Sequence, residues 1–173
     1  MQSDTENVLF PESLLPRTKA RIAAVQALYQ MEITSVDVGD VVKEFQKLRF
    51  KAPPQKKQKN NILNEDTKED FSDTDTTFFS EIVYGVVRCQ RNIDPMIHEQ
   101  LATGWRLVRV DAILRAILRA GTYEMVEMKT IPGRVIINEY INIAHAFFSE
   151  DEPRVVNGIL DKIGRITRPN DFK

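Results

Sequence analysis

The chain has 173 residues, of which 42% are hydrophobic, enough apolar material for one domain or for two small helical lobes packed together. Its 24 Lys and Arg residues nearly balance its 25 Asp and Glu residues, and the formal net charge is -1. This balance excludes nucleic-acid binding through overall basic charge, so a site of that kind requires a local cluster of cations.

The cysteine and hydropathy patterns indicate a protein of the reducing cytoplasm. Cys89 is the single cysteine, which excludes an internal disulfide. No apolar run approaches the roughly 18 residues of a membrane-spanning helix, and the start of the chain does not have the pattern of a signal peptide. We therefore expect a cytoplasmic protein without a membrane partner.

The N-terminal part of the sequence predicts an acidic tail followed by a helix. Residues 1–16 contain three acidic side chains and no Lys or Arg, a composition typical of disorder. The following stretch is rich in Ala and Leu, has no internal Gly or Pro, and begins directly after Pro16, which suits the first turn of a helix. We predict a first helix over residues 17–32.

A second helix and a polar segment follow. Apolar residues at spacings of three and four predict the second helix, because they share one helical face: Val38, Val41, Val42, Phe45 and Leu48. Residues 51–72 are mostly polar and charged, and too few apolar groups remain to offset the entropy of ordering. This segment is predicted as a flexible linker between an N-terminal lobe, 17–50, and a C-terminal lobe, 73–168.

The rest of the chain carries five further helical patterns. Asp94-Pro95 resembles an N-cap followed by Pro at the first helical position, so we predict a helix boundary there. The predicted helices are, in order, 76–91, 94–103, 110–125, 134–148 and 153–165. No stretch alternates with a period of two residues. The predicted fold class is all-α, with seven helices in two small packed bundles.

Two glycines in these helices are candidates for close helix packing, because the absence of a side chain lets two backbones approach. Gly121 lies in the long fifth helix, and Gly158 follows Asn157 in the last one. We predict that a neighbouring helix packs against each of them.

No constellation in the sequence indicates catalysis or metal binding. His98 and His145 lack metal-ligand spacing with each other or with Cys89, and a solitary thiol without a base is usually inert. There is no phosphate-cradling Gly-rich loop and no nucleophile elbow. The acids at 150–152 are explained better by favourable charge at a helix start than by acid-base chemistry. We expect no catalytic residue, no metal and no cofactor.

The cationic start of the first helix is the most informative charged feature. Arg17 and Arg21 lie four residues apart on one face, and Lys19 widens the cationic surface. Like charges at this spacing repel weakly, so they lie either on a solvated face or against an anion. Spacing alone does not decide between the two. Tyr29, further along the same helix, is by default a core or edge aromatic residue.

Four motifs follow one another along the chain and are specific only as a set. They are Arg17-x-Lys19-Ala-Arg21-x-x-Ala-Val-Gln-Ala-Leu-Tyr29, Ala116-Ile-Leu-Arg-Ala-x-x-Tyr-Glu-Met125, Val135-x-Ile-Asn-Glu139 and Val156-Asn-Gly-Ile-Leu-Asp-Lys162. Together they resemble the NusB family of transcription antitermination factors. The resemblance covers roughly residues 17–169 and lapses in the polar segment 51–72.

The resemblance implies an all-helical protein that binds the boxA element of nascent ribosomal RNA. It does so together with NusE, a ribosomal protein of the small subunit, within the RNA polymerase antitermination complex. In the family the cationic N-terminal helix contacts the RNA backbone, and the start of the last helix adds to that surface. The RNA-binding residues that the resemblance implies are Arg17, Lys19, Arg21, Tyr29, Asp151 and Arg154. The fifth helix and its neighbours would face NusE, which implies partner contacts at Asp111, Arg115 and Arg119.

This sequence departs from the family pattern at three places. Thr18 and Lys19 stand where relatives are often arginine, which implies weaker attraction for phosphate. Val155 stands where many relatives have an aromatic residue, so a stacking platform worth roughly 1–3 kcal/mol per base is missing. Leu114 stands in place of the acid of an acidic-basic pair, and the nearest acid is Asp111. We expect the partner contact to be rearranged accordingly.

Two other functional interpretations are open at this point. A NusB-like domain occurs at the N-terminus of some rRNA cytosine-5 methyltransferases, but this chain ends at Lys173 without room for a cofactor domain and its catalytic cysteine. A purely structural helical scaffold would bind no RNA in a salt-dependent manner. A homodimer that masks the RNA-binding face is a further possibility for the free protein.

Overall fold

The structure is a computed structural model that describes residues 14–51 and 71–173. Within these ranges it contains α-helices and short helical turns and no β-strand, so the all-α prediction is confirmed there. The α-helices are α1 (Pro16–Thr34), α2 (Val38–Glu44), α3 (Thr76–Gln100), α4 (Ala112–Glu127), α5 (Gly133–Phe147) and α6 (Glu152–Thr167). A π-helical turn spans Phe45–Arg49, and 3-10 turns span Leu107–Arg109 and Pro169–Phe172.

The predicted third and fourth helices form one continuous helix, so the count of seven was wrong. α3 passes through Asp94 and Pro95 without a break. The Asp94 carboxylate does not cap a helix start. It accepts two hydrogen bonds of 2.8 Å from Nε and Nη2 of Arg119 on α4. The Asp-Pro pattern was misleading because the aspartate serves a tertiary contact, and local signals yield to such contacts.

The second helix is shorter than predicted, and the predicted polar segment lies mostly outside the described residues. α2 ends at Glu44, and Leu48, which was expected on the apolar face, is exposed in the π-helical turn. Phe71 was included in the predicted linker but is buried against Phe50, with ring centroids 6.4 Å apart. Residues 52–70 of that linker, and residues 1–13 of the predicted tail, lie outside the described residues.

α4 is the central helix of the bundle. It packs on α1, α3, α5 and α6, and its residues from Leu114 to Met125 are buried almost without interruption. α2 packs on α1 and α3, while α5 and α6 pack on each other. The buried apolar side chains of all six helices form one hydrophobic core. The division into lobes 17–50 and 73–168 stays a prediction.

The glycine predictions have opposite outcomes. Gly121 lies against α6, where an added Cβ would be 2.8 Å from a methyl carbon of Leu160, so the close approach is confirmed. Gly158 faces open space, with no atom within 4 Å of an added Cβ, so the predicted packing point was wrong. A close approach that the sequence did not suggest occurs at Gly85 of α3, where a Cβ would overlap the ring of Tyr123.

Candidate nucleic-acid interface

The first turn of α1 presents Arg17 at the surface. Pro16 begins the helix, where its missing N–H removes no helical hydrogen bond. The Arg17 side chain is 58% exposed, and its Nε lies 3.6 Å from Oδ2 of Asp75. The guanidinium carbon lies 4.8 Å from the centre of the Phe78 ring, a cation–π geometry. Arg17 is therefore oriented by its neighbours while most of its surface stays in water.

Lys19 lies two residues further along α1 and is paired with a carboxylate. Its side chain is only 10% exposed, and Nζ forms an ion pair with Oδ1 of Asp73. Asp73 belongs to the short segment that precedes α3, and that segment is tied to the start of α1 by a 3.1 Å hydrogen bond from the Asp75 N–H to the Pro16 carbonyl. Lys19 is therefore a nearly buried cation whose charge is compensated by a more exposed carboxylate.

Arg21 lies inside the bundle. Its side chain is 4% exposed, and its Nε and Nη2 donate to the two carboxylate oxygens of Glu124 at 2.9 and 2.8 Å. Nη1 lies 3.3 Å from Oε2 of Glu139 on α5. The hydroxyl of Tyr140 donates to Glu124 at 2.5 Å. Arg21, Glu124, Glu139 and Tyr140, called the buried cluster below, join α1 to α4 and α5.

The buried cluster has a fixed protonation pattern. Burial by itself lowers the pKa of Arg21, but the hydrogen bonds and charge of Glu124 outweigh burial and raise that pKa overall, so the guanidinium stays charged. Burial raises the pKa of the Tyr140 hydroxyl well above its ordinary value, and the nearby Glu124 carboxylate raises it further. The cluster therefore holds a charged arginine and a neutral tyrosine whose hydroxyl donates to Glu124.

Tyr29 lies in an apolar groove beside the second half of α1. It is 37% exposed, and the groove is also lined by Ile33, Ile113 and Phe147, with Arg49 at its edge. A half-exposed aromatic ring with one face against apolar neighbours suits either base stacking or a partner side chain.

Asp151 and Arg154 form an exposed ion pair at the start of α6. Nη1 of Arg154 lies 3.5 Å from Oδ1 of Asp151, and both side chains extend into water. They line a polar hollow with His145 and Asn157. Within residues 14–51 and 71–173, no ion pair connects this pair to the cations of α1.

The three residues assigned to partner contact all have internal partners. Asp111 caps α4 by accepting from the Ile113 and Leu114 N–H groups at 2.8 and 3.2 Å. Arg115 is buried and bonds to Glu32 of α1. Burial, and then the charge of Arg119, lower the pKa of Arg115.

Arg119 completes a four-residue charge cluster between α1, α3 and α4. Besides its two bonds to Asp94, it lies 3.5 Å from Glu32 through Nη1, and Glu32 also pairs with Arg115. The cluster therefore consists of Glu32, Asp94, Arg115 and Arg119. Its charges balance, and they fix the relative positions of three helices.

An exposed apolar surface next to this cluster was missed in the sequence. Arg115 Nη1 donates to the carbonyls of Leu107 and Val110 at 2.7 and 2.6 Å and so pins the connection between α3 and α4. Trp105 and Val108 on this connection are 56% and 76% exposed. The available signal was composition, because Trp and Arg are enriched at the centres of protein interfaces.

Neither a cluster of metal-ligating side chains nor a membrane-spanning helix is found in the described parts of the chain. Residues 14–51 and 71–173 contain no group of three or more His, Cys, Asp or Glu side chains that could hold a metal ion. No helix in these ranges is long and apolar enough to cross a membrane.

Comparison with known proteins decides the family. The sequence model of the NusB family matches residues 18–165. The chain belongs to the NusB family. The "Transcription antitermination protein NusB" of Rhodopseudomonas palustris is 45% identical over 156 residues, which cover 90% of this chain and 83% of that relative.

Solved NusB structures share the fold. The NusB of T. maritima has 28% sequence identity and a TM-score of 0.68, covering 92% of this chain and 99% of that one. A chain from a crystal structure of the antitermination factors NusB and NusE with double-stranded RNA has 21% identity and a TM-score of 0.64, covering 86% of this chain and 96% of that one. The family predicted from the four motifs is thereby confirmed.

Three of the four NusB motifs supply the buried cluster. The first motif contributes Arg21, the second Glu124, and the third Glu139. Glu124 and Glu139, the acidic residues of the second and third motifs, were a signal that a cation of the first motif is paired within the fold. The family resemblance had assigned Arg21 to RNA together with Arg17 and Lys19, because all three lie in the cationic N-terminal helix.

Proposed function

We propose that this chain is a transcription antitermination factor that binds the boxA element of nascent ribosomal RNA together with NusE. The observation that carries this proposal is the family match over residues 18–165, with relatives near 45% identity that are named as antitermination proteins. A protein of the same fold occurs with NusE and RNA in a crystal structure, which supports both binding activities. The protein acts by binding and catalyses no reaction.

The first turn of α1 is the proposed start of the RNA surface. Arg17 has a largely exposed guanidinium and only a 3.6 Å contact to Asp75, so a phosphate can approach it from solvent. Lys19 is adjacent, and its ammonium can turn from Asp73 to a phosphate oxygen. Tyr29 and the exposed Arg154 extend the proposed surface, and Asp151 orients Arg154.

Arg21 has a positioning role in this proposal. The structure surrounds its guanidinium with the carboxylates of Glu124 and Glu139, so it contributes by holding α1 against α4 and α5. A fixed helix start keeps Arg17 and Lys19 at a constant separation, which lowers the entropy lost when a phosphate backbone binds.

The proposed NusE surface is the connection between α3 and α4. Its exposed Trp105 and Val108 offer apolar area, and the exposed Arg106 and Arg109 beside them offer charge. In this proposal Arg115 supports the surface through its hydrogen bonds to the Leu107 and Val110 carbonyls. Asp111 caps the start of α4, and Arg119 joins α4 to α3.

A protein that binds nascent transcripts acts in the cytoplasm of a bacterium. There it would join RNA polymerase as part of the antitermination complex. A homodimer of the free protein would have to dissociate before RNA binds if it covered the α1 surface. Light scattering of the protein alone and with RNA measures this directly.

The test is fluorescence anisotropy with a labelled single-stranded boxA RNA, with and without NusE, at low and moderate salt. We expect salt-sensitive binding that NusE tightens. The double variant Arg17→Ala/Lys19→Ala should bind roughly tenfold more weakly and have a salt slope smaller by about 1.4, or about 0.7 for each lost phosphate contact.

The matched control removes two cations elsewhere. Lys43 and Arg165 are exposed, and each has an intrahelical acidic partner. The double variant Lys43→Ala/Arg165→Ala therefore has the same change in net charge, and we expect affinity within twofold of the wild type. Equal losses in both variants, or no RNA binding with or without NusE, would contradict the proposal and favour a helical scaffold.

A further inference from the structure

Arg17 and Lys19, the two cations of the first motif that lie outside the buried cluster, are paired with carboxylates of one short segment. Asp73 forms the ion pair with Lys19, and Asp75 lies beside Arg17. The two acids flank Thr74, immediately before α3. Any RNA that binds Arg17 and Lys19 therefore meets cations that already have anionic neighbours from the same chain.

The acidic segment is held in place by contacts that do not involve the cations. Phe71 at its start is buried against Phe50, and the Thr74 hydroxyl donates to the Phe71 carbonyl at 2.7 Å. At its end the Asp75 N–H donates to the Pro16 carbonyl at 3.1 Å. The position of the carboxylates beside α1 is thus a property of the fold.

Asp73 and Asp75 differ in what else they do. Asp75 caps α3, because its Oδ1 accepts from the Phe78 N–H at 2.9 Å, so this side chain is committed to its own helix. The Asp73 side chain is 56% exposed, and among the described residues Lys19 is its hydrogen-bond and ion-pair partner. Asp73 can therefore turn into water without breaking a cap.

We propose that Asp73 is an intramolecular competitor of RNA phosphate for Lys19 and thereby sets the RNA affinity of the α1 surface. A carboxylate and a phosphodiester present the same kind of anionic oxygen to an ammonium group. RNA binding exchanges one for the other, and the Asp73 carboxylate moves into solvent. This inference rests on the proposed function, because it names a residue that adjusts RNA binding at the same surface.

The expected size of the effect follows from the exposure of the pair. The Asp73 side of the pair is 56% exposed, and an ion pair with a solvent-exposed partner is weak, so the need to displace Asp73 should reduce RNA affinity only a few-fold. Replacing Asp73 with asparagine keeps the shape of the side chain and removes its charge. We expect Asp73→Asn to bind boxA RNA roughly three to ten times more tightly than the wild type at low salt.

The experiment is an anisotropy titration with labelled single-stranded boxA RNA, in the presence of NusE, on four variants of the full chain. They are Asp73→Asn, Asp161→Asn, Lys19→Ala and the double variant Asp73→Asn/Lys19→Ala. Asp161→Asn is the matched control, because it removes one acid from an exposed ion pair, with Arg165 on α6, and changes the net charge equally. Circular dichroism and the thermal midpoint verify that each variant is folded.

The proposal requires that Asp73→Asn tightens binding, that Asp161→Asn stays within twofold of the wild type, and that Asp73→Asn has no effect once Lys19 is alanine. A similar gain in the Lys19→Ala background would overturn it, because the effect would then be general repulsion between acid and RNA. Unchanged or weaker binding by Asp73→Asn would also overturn it. If neither the wild type nor any variant binds RNA, the proposed function fails as well. If the wild type binds RNA in a salt-sensitive manner and Asp73→Asn has no effect, only the role of Asp73 as a competitor is refuted.

Discussion

Arg21 and Glu124 form an ion pair in the core, and each depends on the other for a compensating charge. Glu124 is 0% exposed and accepts three short hydrogen bonds, two from Arg21 and one from Tyr140. A buried charge without a partner is strongly destabilising, because the low-dielectric interior replaces water poorly. At the scale of the residue, this pair gives one cation of the first motif a structural role.

The substitution Glu124→Gln tests the structural role of the pair. It keeps the volume and one acceptor oxygen but leaves Arg21 with Glu139 as its remaining carboxylate. We expect the free energy of unfolding to fall by about 3 kcal/mol, measured by urea denaturation. Glu127→Gln at the exposed end of the same helix is the control and should change stability by less than about 0.5 kcal/mol. Equal effects of the two changes would contradict the buried-pair interpretation.

Tyr140 makes the free energy of unfolding sensitive to pH in the alkaline range. Its pKa is raised in the folded state, so below about pH 10 both folded and unfolded chains keep the proton and its stabilising bond is fully present. Above about pH 10 the unfolded chain loses the proton while folded Tyr140 keeps it. The free energy of unfolding therefore falls as pH rises further.

The variant Tyr140→Phe isolates this contribution. At neutral pH it should be less stable by about 1–3 kcal/mol, because Glu124 loses a hydrogen-bond donor inside the core. Between about pH 9 and 11 the wild type should lose more stability than the variant, so the difference shrinks. Urea denaturation at a series of pH values measures it, and a difference that stays constant or grows with pH would argue against Tyr140 as the titrating group.

At the scale of the element, the helices pack through a few close approaches that their own periodicity does not reveal. Gly85 lets the Tyr123 ring of α4 lie against the backbone of α3. Gly121 lets Leu160 of α6 lie against the backbone of α4. Both positions are interior to helices, where glycine lowers helix propensity by about 1 kcal/mol relative to alanine. The packing therefore has to offset a local penalty at each position.

Gly85→Ala and Gly158→Ala should change stability in opposite directions. A Cβ at Gly85 overlaps the Tyr123 ring, so we expect a loss of about 1–3 kcal/mol. Gly158 faces open space, and the alanine variant should gain about 0.5–1 kcal/mol through helix propensity. Thermal and urea denaturation decide the signs, and a stabilised Gly85→Ala would show that α3 and α4 do not pack as described.

At the scale of the whole molecule, α4 connects the two proposed binding surfaces. Near its C-terminal end, Glu124 pairs with Arg21 of α1. Near its N-terminal end, Arg115 donates to the carbonyl of Leu107 in the connection that carries Trp105. Both surfaces are exposed, while the charges that support them are buried or half-buried. RNA and protein binding can therefore be altered separately by changes at exposed positions.

Trp105→Ala is the corresponding prediction for the NusE surface. We expect NusE affinity to fall at least tenfold, the loss typical of an aromatic residue at the centre of an interface, as measured by calorimetry. The control is Ile166→Ala, an exposed apolar position near the end of α6, which should leave NusE binding unchanged. RNA binding by Trp105→Ala without NusE should be normal, and retained NusE affinity would place the partner elsewhere.

Local patterns were sufficient for the all-α class, the family and most helix bounds. Apolar spacing of three and four residues is a property of each segment by itself, which is why α1, α5 and α6 lie within a few residues of their predicted limits. The exceptions were α2, which ends before Leu48, and α3, where an aspartate followed by proline resembled a helix start. Its carboxylate had a partner on another helix, which no local pattern could indicate.

The sequence by itself determined that cations gather at the start of the first helix, because spacing along a helix decides which residues share a surface. Only the tertiary structure decided which of those cations is available to an anion. Arg21 and Glu124 are 103 residues apart in the chain, and Lys19 and Asp73 are 54 apart. Charges so distant in sequence meet only when helices pack, so packing made Arg21 a core residue, paired Lys19 with Asp73 and left Arg17 open to solvent.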